Sequence, residues 1–199
     1  MRILVDGRAI QDHFPGIARY TFNLVRALAR VAPEDELCIL HDPAARNTRY
    51  DLGELRRYPN VEQVPGAASV FSWREQWRIP RQIKRLACDV VHAPYYVRPY
   101  AMPAPVVFTA HDLIPMLYPA YFRWHERLIF GAAMALAWRT ARKVIAVSQT
   151  TARDLRRLLG VPEDRIAVVP EAADPAFSPQ PEQAIAAARE KYSLPEEYA

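Results

Sequence analysis

Residues 106–115 have the sequence Val-Val-Phe-Thr-Ala-His-Asp-Leu-Ile-Pro, which is the clearest indication of the fold. The apolar and β-branched run from Val106 to Ala110 is typical of a short strand buried on both faces. It ends abruptly in His111 and Asp112. Because ligands in open α/β sheets bind just beyond the carboxyl ends of the strands, this polar pair is directed at a cleft. The stretch therefore predicts an α/β protein that handles a small molecule.

Outward from this stretch, six further runs of the same kind occur along the chain. The strands that they predict cover residues 3–6, 37–41, 61–64, 89–93, 144–148 and 166–170. Segments with helical spacing separate most of them, and strands that alternate with helices favour parallel pairing. We predict an α/β fold with a Rossmann-like, doubly wound, mainly parallel sheet and helices on both faces.

Two of the intervening helices have clear signals in the sequence. A later helix covers residues 149–159, with Thr151 and Asp154 as a capping pair and Gly160 as its left-handed end. In the first helix, the apolar residues on one side of a 3.6-residue period should pack on the sheet. They are Ile17, Tyr20, Leu24, Leu28 and Val31.

The sequence shows no export signal and no membrane span. The apolar run 128–138 is shorter than the roughly 20 residues that cross a bilayer, so we predict a core helix there. The N-terminus reaches Asp6 after three apolar residues, too soon for a signal peptide. Cys38 and Cys88 lie in separate apolar segments, as expected of core residues in a reduced compartment. We expect a cytoplasmic location, with the inner face of the membrane as an open alternative.

Length and charge limit the organisation and the partners. The chain has 199 residues, of which 51% are hydrophobic, and this fits one principal domain. We expect that domain over residues 1–178, followed by a linker and a helix at 182–192 within the terminal segment 179–199. The net charge of +4 comes mostly from dispersed arginines, which favours anionic ligands such as phosphates. We expect no nucleic-acid partner.

Several common chemistries lack their motifs. The six glycines are too dispersed for a Gly-x-Gly-x-x-Gly motif or a Walker P-loop. The sequence contains no Asp-x-Asp motif, and its five histidines do not have metal-ligand spacing. We therefore expect no resident cofactor and no obligatory metal.

Three places could contact a ligand. Gly16 stands at a predicted helix start after a long connection. Free backbone amides there can hold a phosphate, or the glycine is present only because it forms a turn. His92 and Tyr95, after another predicted strand, either line a sugar or acceptor surface or pack beneath a loop. The third place is His111 with its neighbouring carboxylate, which is either functional or a structural hydrogen-bonding group.

A basic stripe lies between the third and fourth predicted strands. Its arginines, at near-helical spacing, are Arg74, Arg78, Arg81 and Arg85. Trp73 and Trp77 stand beside them, and Pro80 argues against one uninterrupted helix. We favour a solvated face with both tryptophans packed into the core. The alternative is contact with anionic lipid or with a partner protein.

Five segments, in this order, resemble family 4 glycosyltransferases, the retaining GT-B type, and above all their bacterial mannosyltransferase-like members. They are Phe-Pro-Gly-Ile-Ala-Arg-Tyr-Thr (14–21), Cys-Asp-Val-Val-His-Ala-Pro (88–94), Phe-Thr-Ala-His-Asp-Leu-Ile-Pro (108–115), Val-Ile-Ala-Val-Ser-Gln-Thr-Thr (144–151) and Ile-Ala-Val-Val-Pro-Glu (166–171). The resemblance corresponds to the N-terminal half of such an enzyme. This chain has Pro15-Gly16 where many members have two glycines, and Glu171-Ala172 where many have Asn-Gly.

The resemblance implies a two-domain enzyme whose facing Rossmann-like halves enclose a cleft. The N-terminal half would receive the acceptor, and the C-terminal half would bind the nucleotide-sugar donor. Gly16 would lie near the donor diphosphate with Arg19 as a charge partner, and His111 would be the catalytic residue beside the transferred sugar. Further substrate contacts would come from Tyr20, His92, Tyr95, Asp112 and Ser148.

The function that follows from the resemblance is transfer of a sugar from a nucleotide-sugar to a glycan or lipid-linked acceptor. We expect retention of configuration, mannose as one candidate sugar, a role in surface polysaccharide assembly, and contact with the chain's own C-terminal domain. Residues 1–199 alone should be inactive. The alternative is a non-catalytic saccharide- or nucleotide-binding α/β module, since a fold does not fix a function.

Overall fold

The computed structural model describes residues 1–174 and 177–195. Its seven strands are β1 (Arg2–Asp6), β2 (Glu36–His41), β3 (Val61–Pro65), β4 (Val90–Ala93), β5 (Val106–Ala110), β6 (Lys143–Ala146) and β7 (Ile166–Val168). They form one sheet in the order β3-β2-β1-β4-β5-β6-β7, and every pairing is parallel. The predicted fold class and all seven predicted strands are confirmed, although β6 ends two residues before Ser148 and β7 ends two residues before Pro170.

Within the described residues, six α-helices connect and follow the strands. They are α1 (Pro15–Val31), α2 (Glu75–Leu86), α3 (Ile114–Leu117), α4 (Trp124–Arg139), α5 (Gln149–Leu159) and α6 (Glu182–Tyr192). The helix predicted for residues 182–192 is confirmed as α6. None of the helices in the described part of the chain is long and apolar enough to cross a membrane.

The sheet has a hydrophobic core on each face. Leu4 and Val5 are adjacent on β1, are both fully buried, and belong to different core clusters because successive strand residues point to opposite faces. One cluster includes the inner faces of α2, α4 and α5. The other includes Phe22 and Val25 of α1. Burial on both faces explains why the inner strands are mostly apolar runs without alternation. Cys38 and Cys88 are buried and unpaired, as predicted for core residues.

The predicted packing face of α1 is wrong by about one residue position. The buried stripe consists of Ala18, Thr21, Phe22, Val25 and Ala29. Of the residues predicted to face the sheet, Val31 is exposed and the other four are only partly buried. Ala18 and Ala29, at the two ends of the buried stripe, are small and let the helix approach the sheet closely. In this orientation the larger Leu24 and Leu28 lie at the edges of the stripe and are only partly buried.

Helix α2 corrects two predictions about the basic stripe. It runs without interruption through Pro80. An amide N–H at position 80 would donate to the carbonyl oxygen of Gln76, but proline has no amide hydrogen. Gln76 is an exposed residue of the first turn, so water can replace the missing hydrogen bond. Trp73 and Trp77 are both exposed rather than packed into the core.

Two further helices differ in detail from their predictions. In α4 only the inner face is core, with Phe130, Met134 and Ala137 buried while Leu128 is exposed. Helix α5 has the predicted bounds and ends at Gly160 in the left-handed conformation, with φ 64°. Its N-terminal cap, however, is Ser148 instead of the predicted Thr151, because the Ser148 hydroxyl accepts the Thr151 amide at 3.0 Å.

Candidate functional site

The strand order places a crevice at the carboxyl ends of β1 and β4. The chain winds to one side of the sheet from β1 through β2 to β3, and to the other side from β4 to β7. Open α/β sheets bind ligands where the winding direction reverses in this way. The segments that follow β1, β4 and β5 contain Gly16, Tyr95 and His111, so the fold brings together three places that the sequence singled out.

His111 is held from three directions at this edge of the sheet. Its Nδ1 lies 3.1 Å from Oε1 of Glu171, and its Nε2 lies 3.0 Å from the carbonyl oxygen of Pro94. The ring of Tyr20 meets the imidazole edge to face, with the centroids 4.9 Å apart. A neutral imidazole donates to only one of the two oxygens, whereas an imidazolium donates to both. The ring therefore has a fixed orientation and remains partly accessible.

A buried polar network lies below His111. The Thr109 hydroxyl is 2.9 Å from Nε2 of His92 and 3.2 Å from the hydroxyl of Tyr20. Burial lowers the pKa of His92 to about 4, and the nearby His111 contributes in the same direction. Burial also raises the pKa of Tyr20. At neutral pH, His92 is thus an uncharged group that supports the Tyr20 ring through Thr109.

The turn that follows β1 is fixed by a buried ion cluster. Arg8 is fully buried, and its Nε and Nη2 donate to both carboxylate oxygens of Asp6 at 2.8 and 2.7 Å. Its Nη1 donates to Glu75 at 2.9 Å. Burial lowers the pKa of Arg8, but the two carboxylates outweigh it and the net shift is upward. A Cβ on Gly7 would lie 2.8 Å from the Leu40 carbonyl oxygen, so only glycine fits beside β2.

Gly16 and Arg19 lie on the open side of the crevice. Gly16 is the second residue of α1, and a Cβ added there would meet no atom within 4 Å. The packing of the chain thus does not require a glycine at this position, which leaves close approach by a ligand as one reason for it. Arg19 is exposed and has no ion pair in the described part of the chain.

Two predicted substrate contacts have local structural partners. One carboxylate oxygen of Asp112 accepts the Ile114 amide at 3.0 Å at the start of α3. The Ser148 hydroxyl caps α5 and also lies 3.0 Å from the hydroxyl of Thr151, which in turn donates to the His111 carbonyl at 3.2 Å. These contacts fix the backbone around His111. Substrate binding by either side chain stays a prediction.

Tyr95 belongs to an aromatic cluster at the rim of the crevice. Its ring lies 5.3 Å from the ring of Phe14 and 6.2 Å from the ring of Phe71, measured between centroids. Burial raises its pKa, and the neighbouring Tyr96 adds to the shift. The Tyr95 ring packs against other aromatic residues and also borders the crevice. It therefore has features of both alternatives, packing beneath a loop and contact with a ligand.

Sequence analysis missed three residues that shape the site: Arg8, Glu75 and Thr109. The ion pair between Arg8 and Glu75 spans 67 positions along the chain, and the contact between Thr109 and Tyr20 spans 89. No local spacing indicates such pairs. A signal did exist for Thr109, since it is the polar residue within an otherwise apolar strand.

A second depression lies at the opposite edge of the sheet, where the strands begin. It has a volume of about 450 Å³ at the amino ends of β5 and β6, and Arg139, Arg142 and Arg165 contribute to its lining. Arg165 donates to the carbonyls of Arg142 and Ala141 and so ties the end of α4 to the sheet. Ligands of parallel sheets bind at the carboxyl ends, so we place the candidate site at the crevice.

A fully parallel sheet with a polar crevice at its reversal point defines a Rossmann-like ligand-binding domain. A family model described as "Glycosyltransferase Family 4" matches residues 15–177. The O-antigen chain mannosyltransferase B of Escherichia coli is 23% identical over 209 residues, which cover 98% of this chain and 53% of that protein. The chain belongs to Glycosyltransferase Family 4, as its resemblance predicted.

Solved structures share the fold. The crystal structure of Anabaena HepE in complex with UDP-glucose matches with a TM-score of 0.62 at 20% identity, covering 97% of this chain and 50% of that one. A glycosyltransferase from Rickettsia africae matches with a TM-score of 0.50 at 18% identity, covering 98% of this chain and 50% of that one. The chain thus spans about half the length of the proteins that it matches.

Proposed function

We propose that this chain is the N-terminal, acceptor-side domain of a glycosyltransferase that transfers a sugar from a nucleotide-sugar. Membership of the family supports this assignment. The single observation that carries it is the position of His111 at the crevice, with its ring held by Glu171, Pro94 and Tyr20. A side chain fixed in this way can orient a bound sugar without first losing conformational freedom.

In the proposed reaction, the bond between the anomeric carbon of the sugar and the donor diphosphate breaks. A bond from the same carbon to an acceptor hydroxyl oxygen forms, and the hydroxyl proton leaves with the diphosphate. His111 orients the sugar by a bifurcated hydrogen bond from its Nε2, which keeps its contact with the Pro94 carbonyl oxygen. Gly16 and Arg19 lie toward the diphosphate, where close backbone approach and positive charge favour an anion. His92, Tyr20 and Thr109 act by holding the ring of His111 in place.

We further propose a UDP- or GDP-linked donor, retention of configuration and an acceptor that is a glycan or a lipid-linked saccharide. The name of the Escherichia coli relative supports mannose and a role in surface polysaccharide assembly. The UDP-glucose complex of the Anabaena protein supports a nucleotide-sugar donor. The donor half would follow this domain in the chain, and no obligatory metal is part of the proposal.

The test is a transfer assay on the protein encoded by the full reading frame, with UDP- and GDP-sugars as donors. His111→Ala should lower kcat/KM about 100-fold or more, because an orienting hydrogen-bonding group at the reacting sugar is removed. His125→Ala is the matched control, since His125 is exposed on α4, and it should leave the rate unchanged. Circular dichroism would check that both variants are folded. Full activity of folded His111→Ala would refute the assigned role.

A further inference from the structure

The outward face of α2 is strongly basic. Its exposed cations are Arg74, Arg78, Arg81, Lys84 and Arg85. At about 100° per residue they fall within an arc of about 120°, opposite the buried Ile79 and Ile83. The whole chain has a net charge of +4, and without these five cations the remainder would have a net charge of −1.

No carboxylate within the described residues neutralises this face. None of the five cations forms an ion pair in residues 1–174 and 177–195. The acidic residue of α2, Glu75, points inward and binds the buried Arg8 at 2.9 Å. The outward face therefore presents uncompensated charge to whatever lies next to it.

Exposed aromatic rings lie beside these cations. Trp73 is 69% exposed, Trp77 is 37% exposed and Phe71 is 58% exposed. The two indoles pack against each other with their centroids 4.6 Å apart, and the Arg74 guanidinium lies 5.7 Å from the centroid of the Trp73 ring. Three large rings on a solvated surface leave apolar area in water unless a partner covers it.

The backbone holds Phe71 outward at a cost. Its φ is 63°, in the left-handed region that a bulky side chain rarely adopts. Such strain persists where the surrounding structure imposes it, and it points to a use for the exposed side chain. Phe71 also lies 5.8 Å from Phe14 between ring centroids, so this surface borders the crevice.

We propose that the α2 surface, defined as Phe71, Trp73, Arg74, Trp77, Arg78, Arg81, Lys84 and Arg85, docks the chain on an anionic lipid bilayer. Arginine and lysine on the polar side with tryptophan beside them are the composition that interfacial helices use. The cations attract anionic headgroups, and indole rings lie at the headgroup level of a membrane. This inference goes beyond the proposed function, since docking requires no sugar transfer.

The test is sedimentation of the 199-residue chain with lipid vesicles. Binding is expected to phosphatidylcholine vesicles that contain about 30% phosphatidylglycerol and not to pure phosphatidylcholine, and about 0.5 M NaCl should weaken it. Arg78→Glu with Arg81→Glu should lower the partition coefficient at least about tenfold. Arg49→Glu with Arg56→Glu, an exposed pair outside this surface, makes the same change in net charge and should bind as the wild type does. Thermal unfolding would verify that both variants are folded.

A second readout locates the contact. Brominated phospholipids should quench the tryptophan fluorescence of the wild type, and Trp73→Phe with Trp77→Phe should remove most of that quenching. Equal binding to neutral vesicles, or wild-type binding by folded Arg78→Glu with Arg81→Glu, would overturn the proposal. Binding to heparin or RNA without binding to vesicles would overturn it as well, and would make a polyanion the ligand. Loss of binding in Trp124→Ser with Leu128→Ser alone would place the contact on α4.

Discussion

At the scale of single residues, the site depends on groups that are fixed by distant partners. His111 could be found from the sequence because it directly follows an apolar strand. Its contact with Glu171 could not, because the two residues are 60 positions apart and meet only when the ends of β5 and β7 lie at one edge of the sheet. Sequence thus singled out His111 as the candidate side chain, and the fold was needed to show what orients it.

The buried His92 should make stability depend on pH. Its pKa falls from 6.5 to about 4 on folding, chiefly through burial. Below about pH 6.5 the unfolded chain takes up a proton that the native chain does not, so stability decreases as the pH falls toward 4. Urea unfolding at about pH 7 and about pH 5 should show a loss that is about 2 kcal/mol larger in the wild type than in His92→Gln. An equal loss in both proteins would show that His92 is not the group responsible.

The buried Arg8 should contribute far more to stability than an exposed arginine. Arg8→Met leaves the Asp6 and Glu75 carboxylates without their cation, and burial already raises the pKa of Glu75. We expect the free energy of unfolding to fall by about 3 kcal/mol or more. Arg2→Met is the control, since the pair of Arg2 with Glu62 is solvent-accessible and should be worth less than about 1 kcal/mol. Equal effects in chemical denaturation would contradict the assignment.

At the scale of secondary structure, element type was easier to predict than the face that each element buries. Most of the strands followed from apolar runs, because a strand covered on both faces needs no alternation of polar and apolar residues. The edge strand β3 is the exception, since it contains Glu62 and Gln63 and has no fully buried residue. The buried stripe of α1 was misplaced because Ala18 and Ala29, which contact the core, carry less apolar signal than Leu24 and Leu28. The continuous α2 was also missed, since Pro80 costs little where the freed carbonyl can be solvated.

The end of α2 offers a direct test of backbone conformation. Ala87 follows the helix with φ 51°, in the left-handed region that favours glycine, and its side chain is exposed. Ala87→Gly should therefore raise the free energy of unfolding by about 0.5 to 1 kcal/mol. Ala132→Gly in the middle of α4, also exposed, should lower it by about 1 kcal/mol. The same sign for both substitutions in urea denaturation would argue against the left-handed cap.

At the scale of the whole molecule, the carboxyl edge of the sheet forms one wall of the crevice. A small cavity between Asp6, Pro94 and Tyr95 holds only about 10 Å³, which is too little for a sugar. Catalytic pockets exclude water and surround the developing charge on several sides. A second half that faces this sheet is expected only from the resemblance to two-domain enzymes, because no property of one sheet specifies what faces it.

The proposal that this domain forms half of a sugar-transferring site can be tested by comparing two proteins. The 199-residue chain and the protein from the full reading frame would be assayed side by side for transfer from UDP- and GDP-sugars to a lipid-linked saccharide. We predict transfer by the full protein and none by the 199-residue chain, because stabilisation of the departing diphosphate requires a second wall. Sustained transfer by the 199-residue chain alone, or a folded full protein that uses no nucleotide-sugar, would contradict the account.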